Sequence, residues 1–193
     1  MTERRPIVPE PRDLEVPKVA VTGAPCSGKS TAISEVAGSL GDRVSYAEEQ
    51  ARILFADIPY IPDRLGFSIQ CELADMICRE ERRAAETGQP VVADRTIVDG
   101  SVFIRWGGDP EVAEQVFEYV RRWMETYDHL LLCSPNGIPY ESDDVRVETS
   151  EQRDAIHQAF IEAFEHWGIR YDVLDGDRAE RHTHISRLVQ DLA

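Results

Sequence analysis

The chain has no apolar run approaching the roughly 20 residues that span a bilayer, and its first 17 residues, MTERRPIVPEPRDLEVP, carry charges and prolines in place of an apolar core. A secretory leader is therefore not expected, and the sequence is read as cytoplasmic and as having no membrane partner. Cysteine is scarce, with only Cys26, Cys71, Cys78 and Cys133. They form no C-x-x-C pair and no Cys/His spacing that suits zinc, so four reduced thiols are expected. Positive charge is also short. Twenty-one Lys and Arg stand against 36 Asp and Glu, for a formal net charge of -15. Such a surface repels nucleic-acid phosphates, which argues against a DNA or RNA partner. No internal repeat is visible. Self-association as a homo-oligomer is left open.

What is present is an ordinary globular balance over 193 residues, with 42% hydrophobic and 30% charged residues. That length suits one domain. Pro6, Pro9, Pro11 and Pro17 make residues 1–17 an expected loose tail, and residues 18–193 the folded domain. Lys18–Thr22, Arg43–Tyr46, Val91–Asp94, Leu130–Cys133 and Tyr171–Leu174 read as short strands. Helices are expected from Lys29 to about Leu40, from Glu48 to about Phe55, and from Gly66 to Thr87. Another follows the Asp109-Pro110 start, and one begins at the Thr149/Gln152 capping box. The last is expected from His184 to Leu192. Alternating strands and helices imply an α/β fold with a parallel sheet covered on both faces.

Gly23-Ala24-Pro25-Cys26-Ser27-Gly28-Lys29-Ser30 matches GxxxxGK[ST] at every fixed position, with a strand before it and a helix after it. The glycines let backbone N–H groups turn toward phosphate oxygens, and the helix start adds a favourable dipole. ATP with Mg²⁺ is the expected cofactor. Lys29 should reach the β- and γ-phosphates, and the Ser30 hydroxyl should ligate Mg²⁺. Motor and remodelling ATPases carry an Asp-Glu pair after an apolar strand, the Glu polarising water, but here Asp94 is followed by Arg95. An NKxD motif, which GTPases use to read guanine, is missing too. A kinase needs neither. Asp94 is then either a Mg²⁺ ligand or the acceptor of a substrate hydroxyl proton. Arg95 can bind substrate or phosphate, or form a structural ion pair. The polar stretch 134–148 suits a lid, with Arg146 as its basic residue and Arg153 just beyond it. Glu49 and Arg52 share a helix face beyond the second strand, either as substrate contacts or as a surface ion pair. Tyr60, Phe67 and Phe103 are candidates to stack on a flat ring, and Gln70 and Asp99 to meet hydroxyls.

From about Lys18 to Leu192 the chain resembles the nicotinamide riboside kinase domain of the bacterial NAD-biosynthesis regulator and the AAA-like P-loop family around it. The resemblance lies in GAPCSGKS, Glu49-Gln50-Ala51-Arg52, VVADRTIVDGSVFIRWGG, YDHLLLCSPNGIPYESDDVR and YDVLDGDRAERHTHISRLVQDL. It implies an adenylate-kinase-like sheet of order 2-3-1-4-5 with a lid, ATP-Mg²⁺ as donor, and a small nucleoside-like acceptor. It carries Gly23, Gly28, Lys29, Ser30 and Thr31 to the phosphates, Asp94 to the catalytic carboxylate, and Arg146 to the lid. It also places the Asp175-Gly176 loop and Arg178 near the adenine. The nucleotidylyltransferase and repressor regions to which such kinases are usually fused have no counterpart in these residues, and Asp94-Arg95 follows thymidylate and deoxynucleoside kinases instead. A nucleotide, a modified DNA base, or no acceptor at all in an ATP-operated switch remain alternatives.

Overall fold

The computed structural model describes residues 16–56, 66–139 and 149–192. Residues 1–15 of the expected tail, Tyr60 and Arg146 lie outside those residues, while Val16 packs against the core and the Pro17 carbonyl accepts from the Val91 N–H at 2.8 Å, so order begins just before Lys18. Five strands form one sheet in the order β2-β3-β1-β4-β5: β1 (Lys18–Thr22), β2 (Ser45–Ala47), β3 (Val91–Asp94), β4 (His129–Cys133) and β5 (Asp172–Leu174). All pairings are parallel. The helices are α1 (Lys29–Leu40), α2 (Gln50–Leu54), α3 (Phe67–Ala85), α4 (Asp99–Trp106), α5 (Pro110–Met124), α6 (Ser150–Trp167) and α7 (Arg178–Leu192). A single 3₁₀ turn, Gly41–Arg43, follows α1.

The alternation of each strand sorts its side chains between two layers. Val19 and Val21 of β1, with Leu131 and Cys133 of β4, pack under α1 and α7 against Ile33, Val36, Ile185 and Val189. On the other face Leu130 and Leu132 meet Val102 of α4 and Ile156, Phe160 and Phe164 of α6. Ala20, Val91 and Ala93 share that face with Ala84 of α3. Small residues there let α3 sit close to the sheet.

Expected caps are present. Asp109 accepts from the Val112 N–H with Pro110 at the first helical position, and Thr149 with Gln152 forms the reciprocal capping box of α6. Two helices depart from the reading above. α4 was not expected: its eight residues make only about two turns, too short for a helical repeat to be read in the sequence, and Asp99, Ser101, Val102, Phe103 and Ile104 are all buried. α7 starts at Arg178, well before His184. Its signal is a second reciprocal cap: Glu180 N–H donates to Asp177 Oδ1 at 2.9 Å, and Asp177 N–H donates to Glu180 Oε2 at 2.8 Å.

At the amino end of β1 a buried cation replaces the usual apolar filling. Lys18 Nζ lies 2.5 Å from Glu81 Oε2 and 2.6 Å from Thr126 Oγ1. It also sits above the Trp123 and Tyr127 rings at 4.9 and 4.7 Å. Trp123 Nε1 and Tyr127 OH donate to the same carboxylate at 2.8 and 2.7 Å. The network ties β1 to α3 and α5 at the pole of the sheet opposite the glycine loop. Removing one charge strands the other. Glu81→Gln should cost about 3–5 kcal/mol in urea unfolding, whereas the paired change Lys18→Met with Glu81→Leu should lie much closer to wild type.

Candidate functional site

Because the strands are parallel, the carboxyl ends of β1 and β3 open at one edge, with Val21 in register with Asp94. The glycine loop leaves β1 there. Gly23 takes φ 133° and Gly28 φ 84°, and Cys26 also lies in the left-handed region at φ 55°. A Cβ at Gly23 would stand 2.9 Å from the Cys133 carbonyl oxygen, so the loop can hug β4 only with glycine there. Gly28 is the N-cap of α1, and neither a side-chain cap nor a first-turn acid occupies that helix start. Ser30 and Thr31 are exposed at its first turn. The free N–H groups and the dipole of α1 therefore point at whatever fills the loop, which suits a phosphate chain.

Lys29 is buried, and its Nζ donates to the Ala24 carbonyl at 2.6 Å. Burial, and after it the nearby Arg95 charge, pulls its pKa down to about 8. Asp94 stands across from it at the end of β3. Tyr46 OH donates to Asp94 Oδ2 at 3.2 Å, and burial, then the Asp94 charge, raises the Tyr46 pKa. Asp94 Oδ1 is buried with no hydrogen-bond partner, on a residue only 6% exposed. An unpaired anionic oxygen at this depth is costly, and it fits a magnesium ion carried mainly by phosphates and water. Ser30 can supply the hydroxyl of that set. Among the described residues no three His, Cys, Asp or Glu side chains gather as a self-sufficient metal cage.

Arg95 follows with φ 83°, a conformation rare outside glycine. Its N–H donates to the Val21 carbonyl at 2.9 Å. Its guanidinium bonds Glu49 Oε1 at 2.6 Å, Asp99 Oδ2 at 3.2 Å and the Gly23 carbonyl at 3.3 Å. Burial opposes the Arg95 charge, but Glu49 and then Asp99 outweigh it, leaving the pKa above its ordinary value. Burial likewise opposes the Glu49 charge, yet Arg95 wins and holds that carboxyl below its usual range. Asp99 Oδ1 accepts from Thr22 Oγ1 at 2.6 Å and from Thr96 Oγ1.

The predicted residues thus divide. Lys29, Glu49, Asp94, Arg95 and Asp99 converge around the loop. Asp99 spends its oxygens on Arg95, Thr22 and Thr96, so here it braces the site. Arg52 is largely exposed and touches Glu49 Oε2 at 3.4 Å. Gln70 is 3% exposed and lies against Gly100, where any Cβ would collide with its Oε1. Phe103 is buried edge-to-face on Phe160, with the Arg95 guanidinium 5.8 Å above its ring. Phe67 packs edge-on to Tyr119. Arg153 donates to the Ile138 carbonyl at 3.0 Å. Arg178 reaches the α1 surface, where it pairs with Glu35. The arginine of α7 that enters the site is Arg181, which the sequence reading missed. It is buried and bonds the Ser27 carbonyl at 2.6 Å.

A family model described as an AAA domain (AAA_28) matches residues 18–181. Among solved structures, a crystal structure of NadR protein in complex with NR aligns at TM-score 0.68 and 21% identity. That alignment covers 92% of this chain and 50% of the NadR chain, so the chain spans about half the length of that protein. Another NadR structure, with NAD and AMP-PNP, aligns at TM-score 0.66 and 19% identity, over 92% of this chain and 49% of that one. Deoxyadenosine kinase from M. mycoides, with dCMP and dCDP, aligns at TM-score 0.59 and 15% identity, over 90% and 99% of the two chains. No curated protein matches in sequence. The shared feature is the P-loop kinase fold. No helix among the described residues is long and apolar enough to cross a membrane.

The close approach of Gly23 to Cys133 makes a direct test. Gly23→Ala meets both a forbidden φ and a backbone oxygen. It should lose about 1–3 kcal/mol, seen as a fall of several degrees in Tm by calorimetry.

Proposed function

The chain belongs to the AAA domain family, and we propose that it works as an ATP-dependent kinase that phosphorylates a hydroxyl of a small nucleoside-like acceptor. The observation that carries this reading is Arg95. A motor ATPase keeps a water-polarising Glu after the strand-end Asp, whereas here Arg95 turns back in a left-handed conformation and clamps Glu49. The residue next to Asp94 thus positions a carboxylate instead of activating water.

In this reading backbone N–H groups from Ala24 to Thr31 hold the phosphates, with Pro25 contributing its fixed φ and Cys26 and Ser27 their amides. Lys29 contacts the β- and γ-phosphates. Bound with ATP, Mg²⁺ would neutralise charge on the transferring group, held by Ser30 and by the unpartnered oxygen of Asp94. Glu49, ionised and fixed by Arg95, faces the acceptor and takes its hydroxyl proton. Asp94 remains the alternative for that proton transfer. Gln70, whose buried carboxamide lies beside the start of α4, is a candidate to bind acceptor polar groups, and Arg146 is proposed for the transferring phosphoryl group. The likeness to NadR and to deoxyadenosine kinase supports a nucleoside-like acceptor, with nicotinamide riboside first among candidates. The net charge of -15 disfavours DNA.

Lys29 gives a pH signature. Phosphates favour its protonated form, and its pKa of about 8 in the free protein means that ATP binding must take up a proton above that pH. Calorimetry with Mg²⁺ should show ATP about tenfold weaker near pH 9 than near pH 7. Lys29→Ala should bind ATP poorly at both and lose the slope.

The reaction itself is tested by acceptor-dependent ADP release, with product mass, across nucleosides, nicotinamide riboside, monophosphates and modified DNA. Transfer to a nucleoside is expected. Asp94→Asn and Glu49→Gln should each lower turnover by about 10²–10⁴, and Glu49→Gln should leave ATP affinity near wild type. Label only on monophosphates or DNA would move the acceptor class. ATP binding without any product would favour a nucleotide-operated switch.

A further inference from the structure

The buried cations of this protein are handled in two ways. Lys18 has Glu81, and Arg95 has Glu49 and Asp99. Arg181 has no carboxylate among the described residues. It is 1% exposed, and its guanidinium is filled entirely by neutral groups. Nε donates to the Gly176 carbonyl at 2.9 Å. Nη1 donates to the Ser27 carbonyl at 2.6 Å and to Cys133 Sγ at 3.0 Å. Nη2 donates to the Ser134 and Asn136 carbonyls at 2.7 and 3.3 Å.

Taking a guanidinium out of water costs several kcal/mol. Carbonyl dipoles offset part of that cost, and no counter-charge among the described residues offsets the rest. The charge also sits directly behind the phosphate loop. Nη1 is bonded to Ser27, and a Cβ on Gly28, the next residue, would be 3.3 Å from it. A positive charge in such a dry setting acts strongly on the nearest anion, and the front of this loop is where the phosphates are proposed to lie. The same fork splices three segments: the glycine loop at Ser27, the start of the segment after β4 at Ser134 and Asn136, and the turn before α7 at Gly176.

We propose that Arg181 is a positioning residue for the nucleotide phosphates: it holds the glycine loop from behind, and its charge, which no described carboxylate neutralises, is matched when a polyphosphate occupies the front. The proposal rests on the ATP-site reading above. It predicts a ligand effect graded by phosphate number, which a merely structural brace would not produce.

The test is calorimetry with Mg²⁺ on ATP, ADP, AMP and inorganic tripolyphosphate, together with the Tm of the free proteins, for wild type, Arg181→Gln and Arg181→Lys. Arg181→Gln, which keeps a donor and loses the charge, should weaken ATP and tripolyphosphate by about tenfold or more, ADP less, and AMP least. Arg181→Lys, which keeps the charge and loses the fork, should recover most of the preference for ATP over AMP while its Tm falls. Wild-type affinity for ATP in Arg181→Gln, or an equal loss for ATP, ADP and AMP, overturns the proposal. Should Arg181→Gln not fold, Arg181→Lys decides alone: a retained preference for ATP supports the charge, and a lost one refutes it. Lys29→Ala separates the two readings. If it weakens ATP while Arg181→Gln does not, the ATP site stands and the role of Arg181 falls. If wild type binds neither ATP nor tripolyphosphate, the ATP-site reading itself fails.

Discussion

The parallel pairing of β1 between β3 and β4 is the constraint on which the site depends. Parallel strands deliver all their carboxyl ends to one edge, so Thr22, Asp94 and Cys133 finish side by side although they come from distant parts of the chain. The glycine loop departs from the middle of that edge. Its tight approach to Cys133 through Gly23 and its support from Arg181 both follow from the position of β4. The second carboxylate set follows from β3 on the other side.

Charge is distributed around this edge with opposite logic on its two flanks. Toward β3 the cation Arg95 is paired with both Glu49 and Asp99, and its charge holds the Glu49 carboxyl below the usual range against burial. Toward β4 the cation Arg181 meets, among the described residues, carbonyls and a thiol. Between them Lys29 is buried and pulled down to about 8, by burial first and by Arg95 second. The flank suited to a proton acceptor is thus the acidic one, and the flank behind the loop stays electropositive. Both features suit the phosphoryl transfer proposed above, where little covalent chemistry is asked of the protein beyond position and charge.

The far pole of the sheet has a different task. Lys18 precedes the loop by one short strand, and its burial with Glu81, Trp123 and Tyr127 anchors β1 at the end away from the nucleotide. Tyr127 OH also accepts from the Ile97 N–H at 3.2 Å, just beyond Arg95. A strand pinned at one end presents its other end rigidly, which a loop that must wrap phosphates closely requires.

Much was legible locally. GxxxxGK[ST] between a strand and a helix announced the phosphate loop because the backbone geometry it needs is written in glycine positions. Capping at Asp109 and Thr149 announced α5 and α6 because caps are satisfied within three residues. The alternation of strands and helices announced a parallel sheet, while its order came from family resemblance. What only the tertiary structure decided is which distant side chains meet. α4 spans only about two turns, too few for a period to show in the sequence, and α7 begins earlier than its apolar stripe suggests because the Asp177–Glu180 cap starts it. The resemblance puts Arg178 near the adenine; in the fold Arg178 pairs with Glu35 on α1, and the arginine one turn on, Arg181, is the one that the helix sends inward. Arg95 likewise could have been an ordinary surface cation. Its role as the clamp on Glu49 depends on a positive φ and on contacts between residues 46 positions apart, and neither leaves a mark in local sequence.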